Sequence, residues 1–170
     1  MAKEIERRFL VCSNQWQPLV QRCEPLAQGY LCMGQEGFTV RVRLGAESGW
    51  LTLKAPTADA RVRHEFEYPL PQADATELLA LCQWRLHKTR HHLELEGGDW
   101  VVDVFEGDNA PLVIAEVELN AADAGLRIPD WCGEEITAKG ELSNAALAAN
   151  PWAKRQPSQI QACFAAAGKP

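Results

Sequence analysis

The sequence predicts a mainly β protein of the α+β kind: an eight-stranded closed antiparallel β-barrel forming a charged tunnel, with short helices packed outside. Charged residues stand two apart in short segments, Glu4/Glu6/Arg8, Arg41/Arg43, Glu65/Glu67, Lys88/Arg90 and Glu116/Glu118, and Asp103 lies within an apolar run. A strand points residues i, i+2 and i+4 to one face, so each segment gathers its charges on one side. The other side carries Ile5 and Phe9, Val40 and Val42, Phe66 and Tyr68, Val102 and Val104, or Val117 and Leu119. Few helical stretches interrupt these segments, and an antiparallel sheet of about eight strands removes its edges by closing on itself.

Residues 3–11 read as the first strand. Ser13-Asn14 then offers a helix cap before Trp16, Leu19, Val20 and Cys23 at helical spacing, with Pro25 closing that helix. A strand over 28–33 leads through Gly34 and Gly37 to another over 39–44. The Ser48-Gly49 turn returns the chain through 51–54. After a loop from Pro56, a strand over 61–70 meets Pro71, which opens a helix carrying Leu78, Leu79 and Leu81. Strands over 84–95 and 100–105 flank Gly97-Gly98, a hairpin signal, and 112–119 follows. Asn120 starts a short helical stretch, Pro129 and Gly133 mark a loop before 134–138, and Ser143 caps another short helix. The tail beyond Pro151 is alanine-rich and suits a helix over 158–167.

A chain of 170 residues with 46% apolar residues fits one domain, read as a tunnel domain over 1–150 and a tail over 151–170. The net charge of −6, from 17 basic and 23 acidic side chains, argues against general nucleic-acid binding, so any anion site is local. No apolar run approaches the roughly 20 residues that span a bilayer, and the first residues are charged, so a soluble cytoplasmic protein without a membrane partner is expected. Cys12, Cys23, Cys32, Cys82, Cys132 and Cys163 form no C-x-x-C pair and read as mostly buried thiols. Monomer and homodimer are both left open.

Charges on one strand face usually point to solvent. Here the ladders are nearly pure and sorted by sign within each strand, and a row such as Glu65/Glu67 is tolerable only beside opposite charge or a bound ion. One face collects seven carboxylates (Glu4, Glu6, Glu65, Glu67, Asp103, Glu116, Glu118) and six cations (Arg8, Arg41, Arg43, Lys54, Lys88, Arg90). Clustered carboxylates suit Mg²⁺ or Mn²⁺, and paired arginines suit phosphate oxygens. A polyanion carrying its metal ions answers both sets. His64 and His87 are expected on the apolar side, His91 and His92 in a strand-end cluster, and the six tryptophans in core or rim packing. No P-loop, G-x-S-x-G or zinc-binding spacing occurs.

E-I-E-R-R-F at the start, R-V-R at Arg41, L-T-L-K ending at Lys54, E-F-E at Glu65, K-T-R at Lys88, D-V-F at Asp103 and A-E-V-E-L around Glu116 follow one another in a characteristic order. That ordered set resembles the CYTH, or triphosphate tunnel metalloenzyme, family, and in particular its small bacterial single-domain members. P-D-W-C-G-E-E-I-T and S-N-A-A-L extend the likeness. The resemblance implies an eight-stranded tunnel that binds tri- or polyphosphates with Mg²⁺ or Mn²⁺. Glu4 and Glu6 resemble the acids of the family's E-x-E-x-K signature, and Glu116 and Glu118 its second acidic pair, so these four are the expected metal ligands. Arg8, Arg41, Arg43, Lys54, Lys88 and Arg90 resemble its phosphate-binding set. Glu65, Glu67 and Asp103 match further tunnel acids.

The sequence departs from the family twice. Arg8 replaces the signature's lysine, keeping the charge but holding its proton firmly. The family's D-x-R-Y-S-N reads Lys139-Gly140-Glu141-Leu142-Ser143-Asn144. The leading expectation is metal-dependent hydrolysis of a triphosphate compound, inorganic triphosphate first, with Lys54, Lys88 and Arg8 as catalytic candidates. Lys54 is expected to position or activate water because neighbouring cations favour its neutral form; a nearby carboxylate is the alternative base. Adenylate cyclase and thiamine triphosphatase activity are alternatives within the family. A tunnel that binds polyphosphate or nucleotide without turnover is the alternative of another class.

Overall fold

The computed structural model describes residues 3–34, 36–121 and 125–155. The alternating segments become β1 (Lys3–Val11), β2 (Val20–Met33), β3 (Thr39–Leu44), β4 (Gly49–Pro56), β5 (Val62–Leu70), β6 (Trp84–Leu93), β7 (Asp99–Phe105), β8 (Val113–Glu118) and β9 (Cys132–Glu135). Two α-helices join them, α1 (Gln72–Leu81) and α2 (Asn144–Ala149). Pairing runs β5-β4-β3-β2-β6-β7-β8-β1, and β1 meets β5 again through Lys3↔His64, Glu4↔Arg63 and Ile5↔Val62. Eight antiparallel strands therefore close into a barrel, as the sequence predicts. β9 lies beside the far end of β1, with Phe9↔Glu135 and Val11↔Cys132.

Period-two alternation decides what lines the interior. On β1 the face that carries Glu4, Glu6 and Arg8 continues to Leu10. In the same way Lys88 leads to Leu86, Asp103 to Phe105, Glu116 to Ile114 and Gln28 to Tyr30. Each inner ladder thus turns from polar to apolar toward the same end. There Leu10, Tyr30, Leu86, Phe105 and Ile114 cluster with Ile136, Leu142, Leu147, Ala148 and Trp152. The segment after β9 is therefore a plug, and each large side chain buried in it contributes about 1.5–3 kcal/mol relative to exposure. Ser143 caps α2 by accepting from the Ala146 N–H at 3.2 Å, the cap its sequence predicts.

Outside the barrel a second core joins Phe9, Trp16, Trp100, Val102, Ala115, Val117, Leu119 and Trp131. Trp100 meets the Trp131 ring edge-on at 5.8 Å, and Trp16 meets His91 at 5.0 Å. Helix α1 covers β2, β3 and β4. It approaches so closely that a Cβ on Gly29 would stand 2.7 Å from the Cys82 sulfur.

Several sequence expectations change. The helix expected over 16–23 is only a 3₁₀ turn at Gln17–Leu19, and β2 begins at Val20. Trp16 is drawn into the outer core, while pairing from Val20↔Leu93 to Tyr30↔Trp84 holds the following residues extended. Pro25 lies inside β2 because β3 joins only from Ala27, leaving a partner strand on one side there. The extended segment expected over 134–138 falls instead at Cys132–Glu135. No helix forms at 120–121 or 125–131; residues 122–124, the helix over 158–167 and Cys163 lie outside the described residues. Trp152 and Arg155 are buried in the plug. Cys12, Cys23 and Cys32 are exposed, against the expected burial, because they fall on outward or strand-end positions; Cys82 is buried, and all five described cysteines are free thiols. No helix among the described residues is long and apolar enough to cross a membrane.

Candidate functional site: a charged cavity inside the barrel

A cavity of about 740 Å³ opens within the barrel and ends at the plug, where Ser143, Asn144 and Ala145 form its floor. Eleven of the thirteen charged residues singled out in the sequence line it: Glu4, Glu6, Arg8, Arg41, Arg43, Lys54, Glu65, Glu67, Arg90, Glu116 and Glu118. Lys88 and Asp103 stand behind that wall, both side chains fully buried.

The two signs interleave. Lys54 Nζ lies 2.5 Å from Glu4 Oε2 and 3.2 Å from Glu65 Oε2. Arg41 donates to Thr52 Oγ1 at 3.0 Å and stands 3.7 Å from Glu65 and 3.5 Å from Glu67. Arg43 reaches Glu67 at 2.9 Å and stacks on Trp50 with its guanidinium 4.8 Å from the ring centre. Deeper in, Arg90 grips both oxygens of Asp103 at 2.8 and 2.7 Å and reaches Glu116 at 2.6 Å. Lys88 donates to the same Asp103. The cations expected around Lys54 are absent from its contacts, which are carboxylates. It is Lys88 that has a cation, Arg90, sharing its partner Asp103.

Burial, opposed by Asp103 and aided by Arg90, pushes the Lys88 ammonium down to about 8. Although burial opposes it, Arg90 and Lys88 together hold Asp103 well below the usual carboxylate range. Glu116 is also lowered, the nearby cations outweighing burial and Asp103. The opposite holds along the other acidic wall. Burial raises Glu4 despite Lys54; burial with Glu4 and Glu116 raises Glu6; burial with Glu4 and Asp99 raises Glu118. Glu6 and Glu118 face each other across the β1–β8 ladder, and among the described residues neither has an ion pair.

A carboxylate whose folded pKa is raised binds its proton more tightly in the folded protein. Its contribution to stability is complete below the unfolded value of 4.5 and is lost as pH climbs through the raised values. The melting temperature of the metal-free protein is therefore expected to fall as pH rises above 4.5, and Mg²⁺ or Mn²⁺ to reverse the fall. A melting series with and without the ion checks this; a curve that stays flat or rises with pH contradicts it.

Sequence reasoning missed several wall residues. Arg63 and His92 extend the ladders Arg63/Glu65/Glu67 and Lys88/Arg90/His92 by the same two-residue step, so the signal was present. Arg22 and Glu24 were hidden by the helix reading of that segment. His92 lines the cavity between them: its Nδ1 faces Arg22 Nη2 at 3.3 Å and its Nε2 faces Glu24 at 3.2 Å. Burial lowers its pKa. His64 and His87 are on the outer face, as expected. Trp50, Tyr30 and Asn144 also line the cavity and have no charge to reveal them.

The profile of the CYTH domain matches residues 2–146. The chain belongs to the CYTH family. Among CYTH relatives, an inorganic triphosphatase of Acetivibrio thermocellus is 38% identical over 154 residues, covering 89% of this chain and 97% of that protein. An inorganic triphosphatase of Nitrosomonas europaea is 34% identical over 152 residues, covering 85% and 96%. The crystal structure of the inorganic triphosphatase NE1496 superposes with a TM-score of 0.62 at 33% identity, over 87% of this chain and 95% of that one.

CYTH membership implies a requirement for a divalent metal ion, and the donor set suits one. Glu4, Glu6 and Glu118 are oxygen donors whose pKa values burial, and after it neighbouring carboxylates, raise; Glu4 is paired with Lys54, and Glu6 and Glu118 have no ion pair among the described residues. Among the described residues no three such groups already stand together as a ready-made cage.

Proposed function

We propose that this CYTH barrel hydrolyses a triphosphate compound, most directly inorganic triphosphate, to orthophosphate and a diphosphate product. The observation that carries this reading is the cavity, floored by the plug, in which Arg41, Arg43, Lys54 and Arg90 interleave with carboxylates while Glu6 and Glu118 have no ion pair among the described residues. The names of the two relatives support it. Arg41, Arg43 and Arg90 neutralise non-bridging phosphate oxygens, exchanging their present carboxylate partners for phosphate. Lys54, between Glu4 and Glu65, holds the acidic wall together and reaches the outer phosphates. The apolar plug keeps bulk water from entering behind the substrate.

Glu4, Glu6, Glu116 and Glu118 are the residues that would hold Mg²⁺ or Mn²⁺, whose chemistry is to neutralise charge on the reacting phosphoryl group. Lys88 stands behind the wall, 3.4 Å from Asn144 Oδ1 at the floor, so it would take a proton from the attacking water only through a bridging water there; its pKa of about 8 lets a useful fraction be neutral near neutral pH. The departure at Arg8 therefore does not deprive the cavity of a lysine base. Asp103 holds Lys88 in place.

Phosphate release from inorganic triphosphate with Mg²⁺ or Mn²⁺ tests the reading, and no release with either ion sinks it. Because the neutral lysine is the active form, kcat is expected to rise with pH and level off above about 8. A profile without that limb, or Lys88→Met at wild-type rate, removes Lys88 from the role. The same assay with ATP, read for cyclic AMP against ADP, tests the cyclase alternative.

A further inference from the structure

Arg8 is 3% exposed, and its contacts run to the floor of the cavity. Its Nη2 donates to the Leu142 carbonyl oxygen at 2.5 Å, while its Nε stands 3.4 Å from Glu116 Oε1. The backbone around it is tied to the same region: the Arg8 N–H donates to Thr137 Oγ1 at 3.0 Å, and its carbonyl accepts from the Ile136 N–H at 2.8 Å. A second buried guanidinium, Arg155, donates to the neighbouring Glu141 carbonyl at 2.6 Å. Two consecutive carbonyls of the floor therefore hang on arginines. The next residues in the chain, Ser143 and Asn144, face the cavity, and Asn144 Oδ1 lies 3.4 Å from Lys88 Nζ. One continuous series of contacts thus joins Glu116 to Arg8, Arg8 to the floor, and the floor to Lys88.

The two departures from the family pattern meet in this series. Arg8 replaces the signature lysine, and its partner Leu142 lies in the altered 139–144 segment. We propose that Arg8 is a positioning residue: it couples the floor to the acidic wall, setting Asn144 against Lys88 and holding Glu116, rather than moving a proton or binding phosphate by its charge. A guanidinium spreads its charge over one fixed plane, so this side chain hydrogen-bonds the Leu142 carbonyl with Nη2 while its Nε, which makes no hydrogen bond, stays within ion-pair range of Glu116. An ammonium on a flexible stem keeps the charge and loses that fixed plane. The catalytic consequence rests on the triphosphatase reading; the structural one does not.

The test compares Arg8→Lys and Arg8→Met with the wild type in the full chain. Amide hydrogen exchange of peptides covering 140–149 is measured without substrate or metal, and kcat and KM are measured with inorganic triphosphate. Both variants are expected to exchange about tenfold faster across the floor, with the rest of the barrel unchanged. In both, kcat is expected to fall about tenfold or more with KM within about threefold, the pattern of a lost supporting contact. If Arg8→Lys keeps wild-type exchange, the positioning role is overturned whatever its rate. If Arg8→Lys keeps wild-type kcat and only Arg8→Met raises KM, Arg8 acts by charge on the substrate, which also overturns it. Should Arg8→Met fail to fold, Arg8→Lys decides alone. A wild type that releases no phosphate refutes the triphosphatase reading and leaves the exchange result interpretable; normal hydrolysis with unchanged exchange refutes only the role of Arg8.

Discussion

Asp103→Ala, behind the cavity wall, is expected to lower unfolding stability by about 3–5 kcal/mol in urea titration. Asp103 is wholly buried and faces two cations, Lys88 and Arg90. Removing it strands both in a region with little water. The magnitude reflects the desolvation of charges left behind, not the net worth of the ion pair, which can be near zero against an apolar replacement of the whole group. Asp103 is held below its ordinary 3.8, so its contribution is present above that value and lost as pH falls below it. A loss under about 1 kcal/mol would mean that Lys88 and Arg90 find other partners, and that Glu116 alone suffices.

The double substitution Glu6→Gln with Glu118→Gln is expected to reduce kcat with saturating Mg²⁺ by about 10³-fold, since several kcal/mol of charge stabilisation depend on the bound ion and each 1.4 kcal/mol is about tenfold. Its effect on stability has the opposite sign. These two carboxylates face each other across β1 and β8 without a cation of their own, so neutralising them relieves repulsion in the metal-free protein. The variant should melt above the wild type without metal and gain little when Mg²⁺ is added. Unchanged kcat, or wild-type stabilisation by Mg²⁺, would move the metal to other residues.

The opposite signs of these two predictions come from the partition of charge in the cavity. The wall built by β6, β7 and Glu116 is compensated: each acid there has its cation, and their pKa values are lowered. Glu6 and Glu118 have no ion pair among the described residues, Glu4 has only Lys54, and burial raises the values of all three. A folded protein keeps such an uncompensated cluster at a cost in stability, which is the ordinary signature of a site that works with a ligand.

Most of the barrel could be read from sequence because strand periodicity and charge sign are local. Glu4/Glu6, Arg41/Arg43, Lys88/Arg90 and Glu116/Glu118 each announce their common face within three residues. The failures have a common physical origin. Val20 to Pro25 alternates poorly and suits a helix by spacing, yet β6 pairs with it, across a register shift between Val20 and Arg22, and holds it extended. Arg22 and Glu24 disappeared from the expected site with that strand. The surroundings of Lys54 differ from the cations expected for a related reason: its neighbours in space, Glu4 and Glu65, come from strands 50 and 11 residues away in the chain.

The sequence by itself determined a closed antiparallel barrel with an ionic interior, because alternation at period two leaves each strand one charged and one apolar face, and burying the apolar faces outside and closing the edges satisfies all of them together. Only the tertiary structure decided which charge meets which, where the cavity ends, and what Arg8 touches. Those outcomes depend on register between strands and on the plug docking into one end of the barrel. Arg8 and Leu142 are 134 residues apart, and no local pattern in either segment specifies the contact between them.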